Sequence, residues 1–393
     1  MTISPLMPVY DRADIYFERG EGVYLFDDKG ERYLDFVAGI AVTGLGHCHP
    51  ALVAALRKQS ETLWATSNIF KTHGGDRLAQ RLVDLTFADT VFFQNSGAEA
   101  WECGVKTIRK YFTATKQPQR FRIIGFKGCF HGRTMTAIAA SKAPKMVDGF
   151  GPLIDGFDLA EWDNLDSVRA LITDQTAAIM IEPVMGEGGM KVASPAFLKS
   201  LRALCDQHGL LLYFDEIQCG MSRTGKLFAH EHVGVTPDVM CIAKALGNGF
   251  PIGACLATER AAQGMTIGTH GSTYGGNPLA TAAGNAVLDV MTAPGFLDEV
   301  VARGAYLQRA LDKIVAAHPR IFVGQRGTGL IRGLVCVPPA RDVNRAFRAQ
   351  KFLAVEAAEN VIRLLPPLIV TEAEIDEAAE LIGRASTQLE NAA

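Results

Sequence analysis

Apolar positions along this chain follow two rhythms. In 51–63 and 76–87 they recur every three or four residues, the spacing of one helix face. At 90–94, 122–126, 177–181, 210–214, 239–243 and 254–257 they form short continuous runs, apolar on both faces. Such runs suit strands of a parallel sheet covered by helices on each side. Residues 195–208 and 278–291 read as two of the covering helices, each opening on a proline that the first turn tolerates. A third helix is expected over 99–111. Ahead of this alternation, 23–26 and 32–36 are β-rich segments around the turn-forming Asp27-Asp28-Lys29-Gly30, a small hairpin behind an N-terminal arm. Ala293-Pro294-Gly295 is the best boundary. Beyond it come a helix, strands around 321–337 and 361–364, and a last helix from Glu372. The fold class is α/β, with no repeat of 20–50 residues.

Composition narrows the classes. At about 150 residues per domain, 393 residues predict one large and one smaller domain. The 39 basic and 42 acidic side chains leave a net charge of −3, which makes nucleic acid and anionic membranes poor partners. A 48% hydrophobic content supports a substantial core. No apolar run reaches the ~18 residues of a membrane span. The first ten residues carry two prolines and no basic side chain before position 11, unlike a secretory signal. None of the eight cysteines lies within four residues of another, so they read as reduced thiols of a cytosolic protein.

Some motifs carry less than they suggest. Gly220-Met-Ser-Arg-Thr-Gly225-Lys226-Leu227 nearly fits a P-loop, but Leu227 stands where a hydroxyl must hold Mg²⁺. His47-Cys48-His49 and His230-Glu231-His232 lack the further ligands a metal requires, so no metal is expected. Gly327, Gly329 and Gly333 are spaced one residue too far for a dinucleotide fingerprint, and read as a tight strand connection.

Four other places combine into one chemistry. Gln94-Asn95-Ser96-Gly97-Ala98 joins a strand to a helix, whose N-terminus is either a phosphate cradle or an ordinary cap. Leu211-Leu-Tyr-Phe-Asp215-Glu216 sets Asp215 at the C-terminal end of a buried strand, able to hold a protonated ring nitrogen, with Gln218 near enough to assist. Cys241-Ile-Ala-Lys244 puts a lysine past another strand, where desolvation favours the neutral amine that makes a Schiff base. Gly271-Ser272-Thr273-Tyr274-Gly275-Gly276 is a hydroxyl-bearing loop able to hold a second face of a phosphate. Together they supply what pyridoxal 5'-phosphate demands.

These segments, with Cys129-Phe-His-Gly-Arg-Thr134, occur in the order seen in the class III, fold-type I aminotransferases, and the chain resembles that family from about Tyr24 to its last helix. Gly39–Pro50 and Ser67-Asn-Ile-Phe70 look most like the members acting on N2-acetylornithine. The resemblance implies a mainly parallel sheet in a large pyridoxal-phosphate domain (46–292), a small α+β domain (293–393), and an arm and hairpin (1–45) packed with the latter. It implies that Lys244 binds the cofactor covalently and shuttles the proton, and that Asp215 holds the ring nitrogen, assisted by Gln218. Phe130 stacks on the ring, and Ser96, Gly97 and Ala98 bind the phosphate. Thr273 reaches the phosphate in the neighbouring subunit of a homodimer. Substrate falls to Arg133, Ser272 and Arg363, with Glu187 covering Arg363 while a terminal amine is bound. The implied reaction moves the terminal amino group of N2-acetylornithine to 2-oxoglutarate, a step of arginine biosynthesis. Succinylornithine, ornithine, succinyl-diaminopimelate and 4-aminobutyrate are alternative donors, and a P-loop protein is the alternative of another class. Ala65, Met185 and Ser222 depart from the family's common residues without removing a catalytic group.

Overall fold

In the computed structural model, which describes residues 5–392, the short apolar runs assemble into one seven-stranded sheet. Its strands are β1 (Thr90–Gln94), β2 (Arg122–Phe126), β3 (Phe157–Ala160), β4 (Thr176–Ile181), β5 (Leu211–Asp215), β6 (Val239–Ile242) and β7 (Gly253–Ala257). Across the sheet they stand in the order β1-β7-β6-β5-β4-β2-β3. Every residue of β4, β5, β6 and β7 is buried, as continuous apolar runs require.

Two details correct the sequence reading. β7 runs antiparallel to both β6 and β1, whereas the other neighbouring pairs are parallel. Only residues 243–252 separate β6 from β7, fewer than the dozen or so a parallel crossover takes. The edge strand β3 was not expected, because Asp158 interrupts its apolar pattern. That carboxylate pairs with Arg122 on β2 through bonds of 2.7 and 2.8 Å.

Helix limits follow their caps. The expected 195–208 and 278–291 helices are Pro195–His208 and Pro278–Met291, capped by Ser194 and Asn277. The expected 99–111 helix runs Gly97–Ala114, starting earlier because Ser96 caps it. The N-terminal strands Phe17–Glu21, Tyr24–Asp27 and Arg32–Asp35 form a sheet that Phe352–Leu353 joins beside Arg32–Asp35. A second sheet pairs Phe322–Thr328, Ile331–Cys336, Val361–Leu364 and Val355–Ala357. The glycines at 327 and 329 turn the first of these hairpins, as read from sequence. Helices Phe296–Ala317, Ala340–Ala349 and Glu372–Ala392 complete this part; Ala340–Ala349 was not foreseen. Residues 1–4 of the expected arm and residue 393 lie outside the described residues.

Strain concentrates near the sheet's C-terminal edge. Ala38, Gly39, Ile40 and Ala41 all have φ between 47° and 64°, a left-handed turn that costs a β-branched residue such as Ile40 most. Asp35 holds its entry by accepting the N–H groups of Val37 and Ala38, and Asn248 holds its exit at Leu45 and Gly46. Ser222 has φ 70° and a buried hydroxyl without a partner among the described residues.

Candidate active site

A cavity of about 280 Å³ opens at the C-terminal ends of β1, β4, β5 and β6, where ligands bind in sheets of this kind. Its floor and walls include Ser96, Gly97, Ala98, Phe130, Glu187, Asp215, Gln218 and Lys244. Seven of these come from the residues expected to touch cofactor, and Glu187 from those expected to touch substrate.

The helix beginning at Gly97 points its N-terminus into this cavity. Ser96 Oγ accepts the Glu99 N–H at 3.2 Å, and the Glu99 carboxylate reaches back to the Asn95 N–H at 2.8 Å. That box leaves the N–H groups of Gly97 and Ala98, which have no acceptor within the helix, available to an anion. Cap and phosphate cradle are therefore compatible. Gly253 permits the approach of β7, since a Cβ there would stand 2.3 Å from the Ser96 carbonyl oxygen.

Asp215 ends β5 and is 3% exposed. Its Oδ1 accepts the Ile217 N–H, and its Oδ2 meets His131 Nδ1 at 2.7 Å. The His131 ring stacks on Trp101 with centroids 5.4 Å apart and planes 10° apart. Burial opposes protonation of this imidazole, but Cys129 and Asp215 beside it outweigh that and hold its pKa well above the ordinary value. One strand over, Glu182 follows β4, one residue past Ile181, which pairs with Phe214 just before Asp215. It is buried and accepts the Phe130 N–H at 2.9 Å.

Lys244 sits just past β6 with φ 46°. Burial, with the Arg363 cation behind it, brings its pKa down to about 8. Arg363, on Val361–Leu364, is 1% exposed and donates to Glu187 at 2.7 Å. Its Nη2 also donates to the Glu356 carbonyl, while Nε has no partner. Gln218 fits against Gly186, whose Cβ would stand 1.8 Å from the amide oxygen. A lysine with its pKa lowered to about 8, a buried acid, an anion cradle and a carboxylate paired with a buried arginine thus meet at one small space.

The family Aminotransferase class-III matches residues 8–385. The chain belongs to the class III aminotransferases. It is 56% identical over 382 residues to the acetylornithine aminotransferase of Mesorhizobium japonicum, covering 97% of this chain and 96% of that one. Among solved structures, the ornithine aminotransferase of Toxoplasma gondii ME49 superposes with a TM-score of 0.95 at 31% identity, covering 99% of this chain and 94% of that one. The N-acetylornithine aminotransferase of Stenotrophomonas maltophilia K279a has a TM-score of 0.86 at 36% identity, with 98% of each chain covered.

Four expected site residues of this class III aminotransferase do not line the cavity: Arg133, Ser272, Thr273 and Arg363, the last of which reaches it through its bonds to Glu187 and Gln218. Arg133 is exposed, with its guanidinium 5.8 Å from the centre of the Phe130 ring. Ser272 Oγ accepts the Gly275 N–H and bonds Asn95, while Thr273 lines a separate surface groove with residues 65–69 and 270–274. Within one chain the 271–276 loop therefore does not join Ser96–Ala98 around a common anion. The near-P-loop is not a phosphate site either. Its Arg223 is fully buried and donates to the Leu330 and Pro366 carbonyls, fastening the loop to the C-terminal part. His47 and His230 are engaged by Asp35 and Glu216 at 2.8 and 2.9 Å. His131 and Glu182 were given no role from sequence. Glu182 carried a usable signal, a carboxylate ending a buried apolar run, the same one that marked Asp215.

Proposed function

We propose that this aminotransferase uses pyridoxal 5'-phosphate to move the terminal amino group of N2-acetylornithine to 2-oxoglutarate, giving N-acetylglutamate 5-semialdehyde and glutamate. The observation that carries this reading is Lys244, its pKa lowered to about 8 by burial, in one cavity with a buried carboxylate and a helix N-terminus with free N–H groups. That donor set fits the cofactor: an amine for its aldehyde, an acid for its ring nitrogen and N–H groups for its phosphate. The 56% identity to an acetylornithine aminotransferase supports the choice of donor.

Bound there, pyridoxal phosphate supplies the electron sink for the pair left when a substrate carbon loses its proton. The chain's own groups do the rest. Lys244 Nζ, uncharged in part at neutral pH, would hold the cofactor's aldehyde and would take and carry the proton from the substrate carbon. His131 fixes the Asp215 carboxylate in one orientation. Ser96, Gly97 and Ala98 anchor the phosphate, and Phe130 covers an apolar face. Glu187 neutralises Arg363 while a terminal amine occupies the pocket, and swings aside when a 2-oxo acid presents an α-carboxylate. Arg133 suits a second carboxylate, being a planar and permanently charged fork.

The reading also includes a homodimer in the cytosol. Leu63, Trp64, Ile69, Phe70, Ile267 and Tyr274 are exposed apolar side chains flanking the groove that Thr273 lines, which supports burial of that face by a second copy. Asn68 ties the two segments by donating to the Ser272 and Gly275 carbonyls. No helix among the described residues is long and apolar enough to cross a membrane.

The test is a cycle in two halves. The purified protein's visible band should be lost with N2-acetylornithine alone and return with 2-oxoglutarate, with one glutamate formed per semialdehyde. A panel of amine donors should rank N2-acetylornithine first in kcat/KM. A succinylated or free diamine ranking first would overturn the donor assignment and leave the chemistry standing.

A further inference from the structure

Two carboxylates, Glu182 just past β4 and Asp215 at the end of the neighbouring β5, line the floor of the cavity, each one residue beyond the paired Ile181 and Phe214. Their partners differ. Asp215 meets the His131 ring at 2.7 Å, an imidazole that stays cationic beside it. Glu182 has no cationic partner within ion-pair distance and is 6% exposed. Its recorded bond is the one from the Phe130 backbone N–H to Oε1. The groups facing Glu182 are His131 from the 129–134 loop, Asp215 from β5, Glu187 from its own loop and Lys244 just past β6, two acids against two bases. Burial, more than these neighbours, raises its pKa to about 7.

The bond to Phe130 gives this acid a task. Phe130 lies between Cys129 and His131 in a segment without regular structure, and Gly128 and Gly132 on either side have φ of 85° and 120°. Nothing in a ladder or helix fixes the Phe130 backbone. The Glu182 carboxyl, rigid at the end of a buried strand, does so by accepting its N–H. We propose that Glu182 is a positioning residue whose carboxyl, by accepting the Phe130 N–H, locks Phe130 in the plane-covering orientation. The inference rests on the reading that Phe130 faces the cofactor ring.

Three variants of the full-length protein separate the possibilities, read by the Kd of pyridoxal phosphate for the stripped protein and by the visible circular dichroism of the reconstituted one. Glu182→Ala removes the acceptor and leaves a buried N–H unmet, so Kd should rise about tenfold or more and the dichroic band should weaken. Glu182→Gln keeps an uncharged acceptor, so both readouts should return to within about threefold of the parent. Phe130→Leu should weaken binding on its own. If Gln is as damaging as Ala, the carboxylate charge is what matters and the inference is overturned. If Phe130→Leu weakens binding but Glu182→Ala does not, the positioning role is overturned alone. If Phe130→Leu binds as tightly as the parent, the placement of Phe130 fails and takes the inference with it.

Discussion

Lys244 and Asp215 were legible as single residues because each breaks an apolar run at a strand end, and a charge there is costly unless it is used. His131 was not legible, since its partner lies 84 residues away and only the folded sheet brings them to 2.7 Å. For Lys244 the structure adds a quantity that sequence lacked. Its folded pKa of about 8 lies below the ordinary 10.5, so the protonated form is disfavoured by folding. Burial of the ammonium therefore destabilises the stripped protein below about pH 8, and that penalty fades as pH rises from 8 toward 10.5. Reactivity should follow the same window. Trapping Lys244 of the stripped protein with an aromatic aldehyde and borohydride, followed by peptide mapping, should show a yield rising with a midpoint near pH 8. A midpoint near 10.5 would mean that the cavity does not desolvate this amine.

Elements were readable where their ends carry chemistry. Ser194, Pro195 and Gly209 mark both limits of one helix, with Gly209 in the left-handed conformation at its C-cap. β3 was hidden because Arg122 on β2 completes Asp158, and the reversal of β7 is a matter of connection length, not of composition. The Arg363–Glu187 pair belongs to this scale, because a strand of the C-terminal sheet and a loop after β4 must meet to form it. Resemblance supplied the pairing, and the geometry supplies its consequence. Glu187→Gln leaves a cation that is 1% exposed without its anion. The variant should favour substrates whose reacting carbon carries a carboxylate over those that react at a terminal amine. The ratio of kcat/KM for N2-acetylornithine to that for glutamate should fall about tenfold or more, given the cost of parting a buried pair. An unchanged ratio would remove Glu187 from the switch.

For the whole molecule, every residue lining the cavity falls between positions 42 and 252, and the 293–393 part reaches it through Arg363, which bonds the lining residues Glu187 and Gln218. The 271–276 loop could not be placed from one chain's sequence, because a hydroxyl loop looks the same whichever subunit it serves. In the structure Thr273 lies off the cavity of its own chain, on the apolar face proposed to meet a second copy. That makes the two accounts of Thr273 separable by mixing subunits. A Lys244→Ala protomer lacks its own amine but offers an intact Thr273 to its partner; a Thr273→Glu protomer keeps its lysine but presents a negative charge where phosphate would bind. Each variant alone should be close to inactive. Co-expressed in equal amounts, half of the dimers are mixed, and each mixed dimer holds one site with both an intact Lys244 and an intact partner Thr273. About a quarter of all sites should then recover parental turnover, because a two-fold dimer repeats each contact reciprocally. If Thr273 serves its own chain, no site in a mixed dimer is complete and co-expression restores nothing.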